Sequence, residues 1–539
     1  MASVAGDDVN MNVLIPKAEV AVRIGGLGKN PTKSVATESK FVQSQEKEKY
    51  TFTKGKILRI LFGMFLMFSS IYSFVYTPFE FFMNERLRMV PGFPAYDWWV
   101  DPPDEVLLKA YIFNVTNAEA FLNGTDPKLK MEEVGPFVYR EKLKHTDIVF
   151  NDNGTLTYTA TRSAVYVPEL SVNVSLNHSR LVVPNLALLG AASYLSGSSA
   201  LVRGGFNFLV RRLKVAPLVE MTPYNYMWNW TDPLLSLAQS VLPFIVPIDN
   251  IGILNKIYSD FVDRVTVYMG PGNDRKFFLI DRFHGSPRLG YWPDERCDSA
   301  VNSTEGVTYP QFMTRNDTIR YLRKTICRVA NLHYKEDLTK KSMTAYRFEL
   351  PETVFHRAKR REDDCFTLPG DEQLPNGVAD VSPCYYNFPF GISLPHFYGA
   401  VDEVLNMVEG LKPEKGKHGS YVIVEPTTGI PMESRARSQC NIIVKNLRGM
   451  PNNLQRFSNV IVPMFWLEYG QVDLPWYVTG LVYFSVIILP KTQHWFSLVF
   501  LITGTGLMYS GFSAYITYIY RRFVFKYHKF EKLKLSYFR

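Results

Sequence analysis

Several signatures of catalysis are missing from this chain of 539 residues. Its nine histidines never fall at His-x-x-x-His spacing, and neither Cys-x-x-Cys nor Gly-x-Ser-x-Gly occurs. The usual helix-borne zinc site, the dithiol redox pair and the serine elbow are therefore not among its motifs. Cysteine is scarce: five residues, none before Cys297 or after Cys440. Thiol acylation of either tail is thereby excluded. No internal repeat or low-complexity tract is present. The stretch GGLGKNPTKS at 25–34 fails the phosphate-loop spacing, and no strand precedes it. Paired carboxylates occur in DPPDE (101–105) and REDD (361–364), but such runs are ordinarily solvated loops. We expect no enzyme, no metal and no cofactor.

Charge is missing from two long stretches. Residues 60–79, ILFGMFLMFSSIYSFVYTPF, carry none over twenty positions, and a helix of that length spans roughly the 30 Å core of a bilayer. A cleaved signal peptide has a shorter apolar run near the start and a small-residue cleavage site. Here the run is longer and begins almost sixty residues in. We place a retained membrane helix at 57–79. Lys54, Lys56 and Arg59 precede it, which puts residues 1–56 in the cytoplasm as a disordered tail without apolar periodicity. The second stretch, 495–520, is free of charge over twenty-six residues and is followed by Arg521 and Arg522, returning the chain to the cytoplasm. The run 477–489 is only thirteen residues long and ends at Pro490, so we expect it to pack on the domain or lie at the interface. Residues 80–494 are left outside. The net charge of +9 owes much to a basic tail, 521–539. Beside a membrane helix such a tail fits anionic cytoplasmic lipid or serves as a bare topology signal, and it argues against nucleic acid.

What is present agrees with that sidedness. Acceptor sequons occur at Asn114, Asn123, Asn153, Asn173, Asn177, Asn229, Asn302 and Asn316, all between the two apolar runs. Confinement to one compartment marks a glycosylated, extracytoplasmic domain. The cysteines fall in the same segment, which suits an oxidising compartment. The mean hydropathy, −0.08, averages this polar domain with the apolar ends. Alternation predicts a strand over 106–115, then two more at 134–150 and 154–167 joined by an Asn-Gly turn. Further strand candidates are DRVTVYMG, KFFLIDRF, AYRFELP, SYVIVEP and RSQCNIIVKNL. Residues 185–230 lack alternation, and LALLGAASYL, SALVRGGFNFLVRRL and LVEMTPYNYMW read as short helices. Within the spans, Gly506, Ser510 and Ala514, and likewise Ser69 and Ser73, repeat every four residues. Such stripes join helices closely. They could link the two spans or two copies of the protein, and homo-oligomerisation stays open.

The ordered set VLLKAYIFNVTNAEAF, EEVGPFVYRE, VVPNLALLGAAS, FHGSPRLGYWPDERCDSAVNSTEG, TICR, AYRFELP, GISLPHF, VEPTTGIPM and VPMFWLE resembles the class B scavenger receptors. These are the family of fatty-acid translocase, the high-density-lipoprotein receptor and the lysosomal integral membrane protein, and the sequence has the flavour of an insect member. The resemblance covers residues 56–522. It implies an α+β membrane protein: a β-barrel-like ectodomain, a helical bundle at its apex (about 185–230), and a hydrophobic tunnel towards the membrane. It also implies pairing of Cys297 with Cys365 and of Cys327 with Cys384, where spacing alone leaves fifteen arrangements of two bridges open. Cys440 is left as a buried free thiol. Some relatives carry a further cysteine pair after the position of Cys365, but here Phe366 and Thr367 follow it. At the apex, Arg203, Arg211, Arg212 and Lys214 form a patch of one sign, which the resemblance assigns to capture of anionic ligands; the plain alternative is a solvated helix face.

The expected function is therefore a receptor that binds lipoproteins or carrier-bound lipid and transfers fatty acid, sterol or carotenoid through the ectodomain. The second hypothesis is a phagocytic or trafficking receptor whose apical helices grip a protein ligand. Residues 527–530 loosely fit a tyrosine sorting signal. The C-terminal tail has no acidic dileucine, which favours the plasma membrane over endosomal or lysosomal membranes.

Overall fold

In a computed structural model of the chain, the described residues are 54–103, 106–241, 250–260, 262–269, 274–367 and 373–537. The expected N-terminal tail through residue 53, with its glycine-rich stretch, lies outside them, as do residues 104–105 of the first carboxylate run. The chain divides into a sheet unit, 73–496, and a helical unit made of residues up to 72 and from 497 onward.

The strands are β1 (Val106–Val115), β2 (Met131–Phe150), β3 (Thr155–Tyr166), β4 (Leu181–Pro184), β5 (Leu218–Met221), β6 (Asp263–Tyr268), β7 (Ile280–Phe283), β8 (Thr318–Arg323), β9 (Arg328–Lys340), β10 (Met343–Glu349), β11 (Val378–Asp380), β12 (Phe390–Ser393), β13 (Tyr421–Glu425), β14 (Ile430–Ile443) and β15 (Ile461–Gln471). All but β4 and β5 form one sheet, with the path β7-β6-β3-β2-β1-β15-β14-β13-β10-β9-β8 and β12 leaning on β14. Every strand pairing in it is antiparallel. The β2–β3 hairpin turns at the Asn-Gly stretch: Gly154 has φ 73°, and the Asn151 amide donates to Thr155 Oγ1 at 2.9 Å. The path ends at β7 and β8. Residues 302–304 hydrogen-bond to both ends, Ile280 N to Ser303 O at 2.7 Å and Leu322 N to Thr304 O at 2.8 Å.

Helices precede and interrupt the strands: α1 (Lys54–Val75), α2 (Pro78–Arg88), α3 (Pro94–Val100), α4 (Ala118–Asn123), then α5 (Leu186–Leu195), α6 (Ala200–Leu213), α7 (Pro223–Trp228), α8 (Pro233–Val241) and α9 (Ile253–Asp260). The helical insertion thus extends past 230. Its LVEM is not helical: β5 pairs with β4, and Thr222 then caps α7 by accepting Asn225 N. Asn185 caps α5, and its amide also reaches Asp232 at 3.1 Å. Helix α5 lies hard against the sheet unit's interior. Ser193 Oγ donates to Ile443 O at 2.7 Å, and a Cβ on Gly190 would collide with the Phe388 ring.

Pro490 does not end a helix. Trp476–Tyr483, a π turn at Phe484–Ile488 and Leu489–Tyr537 follow one another without a break. Proline removes one backbone donor and crowds the preceding turn; the wider π turn just before it takes up that mismatch. The first turns pack on the sheet, with Val482 buried beside Met343, Ala345, Ile423 and Met432. Among the described residues, two helices are long and apolar enough to cross a membrane, Lys54–Val75 with 22 residues and Trp476–Ser513 with 38.

In the helical unit these two helices meet along a seam other than the four-residue stripes. Ser70 Oγ donates to Ser497 O at 2.7 Å. A Cβ on Gly63 would stand 2.8 Å from Gly504 O, and one on Gly511 would stand 2.4 Å from Ile60 Cγ1. The small residues at the seam, 63 and 70 on one helix and 497, 504 and 511 on the other, are spaced by sevens, the repeat that keeps one helix face on its partner. Gly506 meets nothing within 4 Å.

Candidate functional site

The sheet unit holds a cavity of about 610 Å³, within the range of small-molecule sites. Its apolar lining comes from α2 and α3 with the residues around them (Phe82, Met89, Phe93, Trp99), from Leu143 on β2, and from Val482 in the C-terminal helix. Charged residues of the bordering strands reach the same space: Glu141, Arg162, Asp263, Arg323, Arg435 and Arg437.

Those charges form two networks. In the first, Arg162 meets Asp263 at 3.2 Å, Glu141 at 3.5 Å and Glu305 at 3.8 Å, while Lys324 bridges Asp263 and Glu305. The Tyr158 hydroxyl also donates to Glu305. Burial pushes the Glu305 carboxyl upward, but Lys324 and Arg162 outweigh it and hold the acid down at about 2. In the second, Glu468 receives Lys109 at 3.0 Å, Arg435 at 2.6 Å and Arg437 at 2.6 Å. Burial raises the Glu468 carboxyl, and the two arginines bring it below its ordinary value. Arg323 belongs to neither network. It stacks on the Tyr469 ring at 4.5 Å, and its Nη2 is buried with no hydrogen-bond partner among the described residues.

A third cluster lies in the sheet unit, where Glu133, His396 and His418 bring ligand-type atoms within 4.8 Å of one another. His396 Nε2 stands 2.6 Å from Glu133 Oε2, which also accepts Trp466 Nε1 at 2.7 Å. The two imidazoles stack at 4.4 Å. His396 Nδ1 accepts the Lys412 N–H at 3.0 Å, and His418 Nδ1 accepts the Glu414 N–H at 2.9 Å. A neutral imidazole that binds a metal through Nε2 carries its proton on Nδ1. Both Nδ1 atoms are acceptors here, so the cluster suits a hydrogen-bonded network and does not suit a metal. Burial and His396 depress His418 to about 4. Burial opposes ionisation of Glu133, yet its bonds from His396 and Trp466 keep it below the usual carboxylate range.

The residues singled out in the sequence are dispersed. Arg211, Arg212 and Lys214 are exposed at the end of α6, on a helix that also exposes Leu201 and Phe208. Arg203 is set apart from them, since its guanidinium donates to the Ser196 and Ser198 carbonyls and ties the α5–α6 turn. Seven of the eight sequon asparagines are exposed; Asn114 is half-buried, with its Oδ1 accepting Val182 N at 2.9 Å. Cys297 is bonded to Cys365 and Cys327 to Cys384. Each bridge closes a loop of 68 or 57 residues, worth roughly 4 kcal/mol in the chain-entropy model. Cys440 is free, and burial pushes its thiol up to about 12, which makes it inert. Arg323, Glu468 and the histidine pair carry no spacing signal, because their partners are supplied by distant strands.

The model of the CD36 family matches residues 58–515. Scavenger receptor class B member 1 of Bos taurus is 27% identical over 428 residues, which is 79% of this chain and 82% of that protein. The protein of that name in Cricetulus griseus is 28% identical over 389 residues, 71% of this chain and 74% of the relative. Lysosome membrane protein 2 of Homo sapiens is 29% identical over 366 residues, 68% of this chain and 74% of the relative.

Proposed function

The chain belongs to the CD36 family of class B scavenger receptors, and from that premise we propose that it is a membrane receptor that docks lipid-bearing particles and passes lipid through its ectodomain cavity to the membrane. The observation that carries this reading is the cavity of about 610 Å³ with aromatic and aliphatic walls. Apolar cargo gains roughly 25 cal/mol for each Å² kept from water there. The lining begins at Phe81, a few residues past the end of α1, and continues into the C-terminal helix at Val482, so both of its ends in sequence adjoin the candidate spans. The barrel-like reading of the sheet is supported by residues 302–304, which bond to both of its end strands.

Docking falls to α6. Exposed Leu201 and Phe208 beside Arg211, Arg212 and Lys214 combine apolar and basic groups in the manner of helices that sit on anionic lipid surfaces. The eight sequons are glycosylated, and the plasma membrane is the proposed location. The lysosome membrane is the second, because a relative bears that name.

Uptake of labelled fatty acid and sterol ester from particles, normalised to surface protein, tests the reading. Lipid entering without the particle's protein supports transfer. Particle uptake without selective transfer refutes it and favours an endocytic receptor. Charge reversal at Arg211, Arg212 and Lys214 is expected to lower binding of anionic particles severalfold at unchanged surface level; unaltered binding removes α6 from docking.

A further inference from the structure

The cavity lining contains cations of two kinds. Arg162, Lys324, Arg435 and Arg437 are each held by a resident carboxylate. Arg323 is only 9% exposed, lines the same cavity, and forms no ion pair or hydrogen bond through its guanidinium with any described residue. A buried guanidinium left without an acid is costly. Its planar fork is shaped for two parallel bonds to an oxyacid. The Tyr469 ring, with its centroid 4.5 Å from the guanidinium carbon, offers no oxygen acceptor from its face.

Taking the lipid-transfer reading as its basis, we propose that Arg323 is the head-group anchor of the cavity: it receives the carboxylate of a single-chain acidic amphiphile whose hydrocarbon lies along the aromatic and aliphatic wall. The balance of fixed charge sets the head-group class. The network beside Arg323 sets three acids, Glu141, Asp263 and Glu305, against two bases, Arg162 and Lys324. Tyr469, on which Arg323 stacks, also feels Glu141. One negative charge on the ligand matches the one guanidinium of the lining left unengaged among the described residues; a second is repelled by the surplus acid of the neighbouring network across a medium of low dielectric. Arg323 is thereby a specificity-determining residue that separates acidic cargo from neutral sterol ester or carotenoid.

Three photoreactive probes of one chain length test this on the full-length protein in detergent micelles: a hexadecanoic acid, its methyl ester, and the corresponding alkyl phosphate. Affinity and the cross-linked residues are read for each. The wild-type protein is expected to prefer the acid over the ester roughly tenfold to a hundredfold, the worth of a charge-assisted pair, and to prefer it over the phosphate. Arg323→Gln is expected to bring the acid down to the level of the ester while the ester still labels the cavity. Arg323→Lys keeps the charge without the fork and is expected to lose severalfold in acid affinity. It serves as the test if the glutamine variant fails to melt cooperatively; full retention by the lysine variant overturns the fork's role. Equal wild-type affinity for acid and ester overturns the proposal, as does a parallel fall of both in Arg323→Gln. Tighter binding of the phosphate overturns the single-charge assignment. Failure of all three probes to label the cavity in the wild-type protein refutes the lipid-transfer reading itself, a result distinct from losing Arg323 alone.

Discussion

The two units solve the same problem, packing elements without water, by opposite means. In the helical unit α1 and the C-terminal helix meet through Gly63, Ser70, Ser497, Gly504 and Gly511, with no charged pair among the described residues of the seam, so the fit of small residues and one hydroxyl bond set the distance. In the sheet unit the interior carries ion networks of unequal sign: three acids on two bases around Arg162, and three bases on one acid around Glu468. A shape-based contact fails when volume is added. A charge-based one fails when a single partner is removed or protonated. The structure thus separates the two sensitivities along one chain.

The largest effect is expected at the lone acid of the basic network. Glu468→Ala leaves Lys109, Arg435 and Arg437 facing one another with nothing between them, a loss of about 3–5 kcal/mol for a buried pair broken on one side. Thermal melting in micelles and surface abundance read it; an unchanged midpoint contradicts the role given to Glu468. Next comes volume at the helix seam. Gly504→Leu drives a side chain into the Gly63 carbonyl and is expected to cost roughly 1–3 kcal/mol, read as reduced disulfide trapping of a Ser70→Cys, Ser497→Cys pair. Gly506→Leu, at a position with nothing within 4 Å, should leave trapping unaltered; equal losses at both glycines would place the seam wrongly.

The smallest effect is expected from pH, in the sheet unit. His418 titrates near 4 when folded against an ordinary 6.5. Between those values the unfolded chain binds a proton that the folded chain refuses, so stability is full above about 6.5 and falls as pH drops towards 4. The groups facing His418 are His396, Glu133, Arg437 and Glu414. Glu305, held near 2 against 4.5, loses its contribution only further down. His418→Asn, whose side-chain oxygen can still accept the Glu414 N–H, should flatten the upper part of the melting profile. A profile identical to wild type removes His418 from it.

How much of this was legible in the chain follows from where each signal resides. Strands whose burial alternates announce themselves, as in β1 and the β2–β3 hairpin with its Asn-Gly turn. Strand β15 is buried almost throughout, between β1 and β14, and reads as a plain apolar run without period two. Strand β9 buries only its first residues in alternation and then turns polar, so its pattern is faint. LVEM is four residues long and becomes a strand only because β4 lies beside it. Pro490 reads as a stop, yet the π turn before it takes up the mismatch and the helix continues. The charge-free runs marked the two helices long and apolar enough to cross a membrane, but the seam that joins them does not follow their four-residue stripes. The cavity was the least legible feature, since its lining is gathered from residues 81 to 485 and Arg323 is distinguished only by what fails to pair with it.

The ends of the sheet unit lie together. The Phe74 and His494 rings stack at 6.3 Å, and Phe79 N donates to Gln493 at 3.2 Å. A domain whose entry and exit share one doorway is an insert: it interrupts its host without stretching it, because the closure of its own chain is already complete. The sheet unit of this receptor is in that sense self-contained, a cassette set between two neighbouring chain ends.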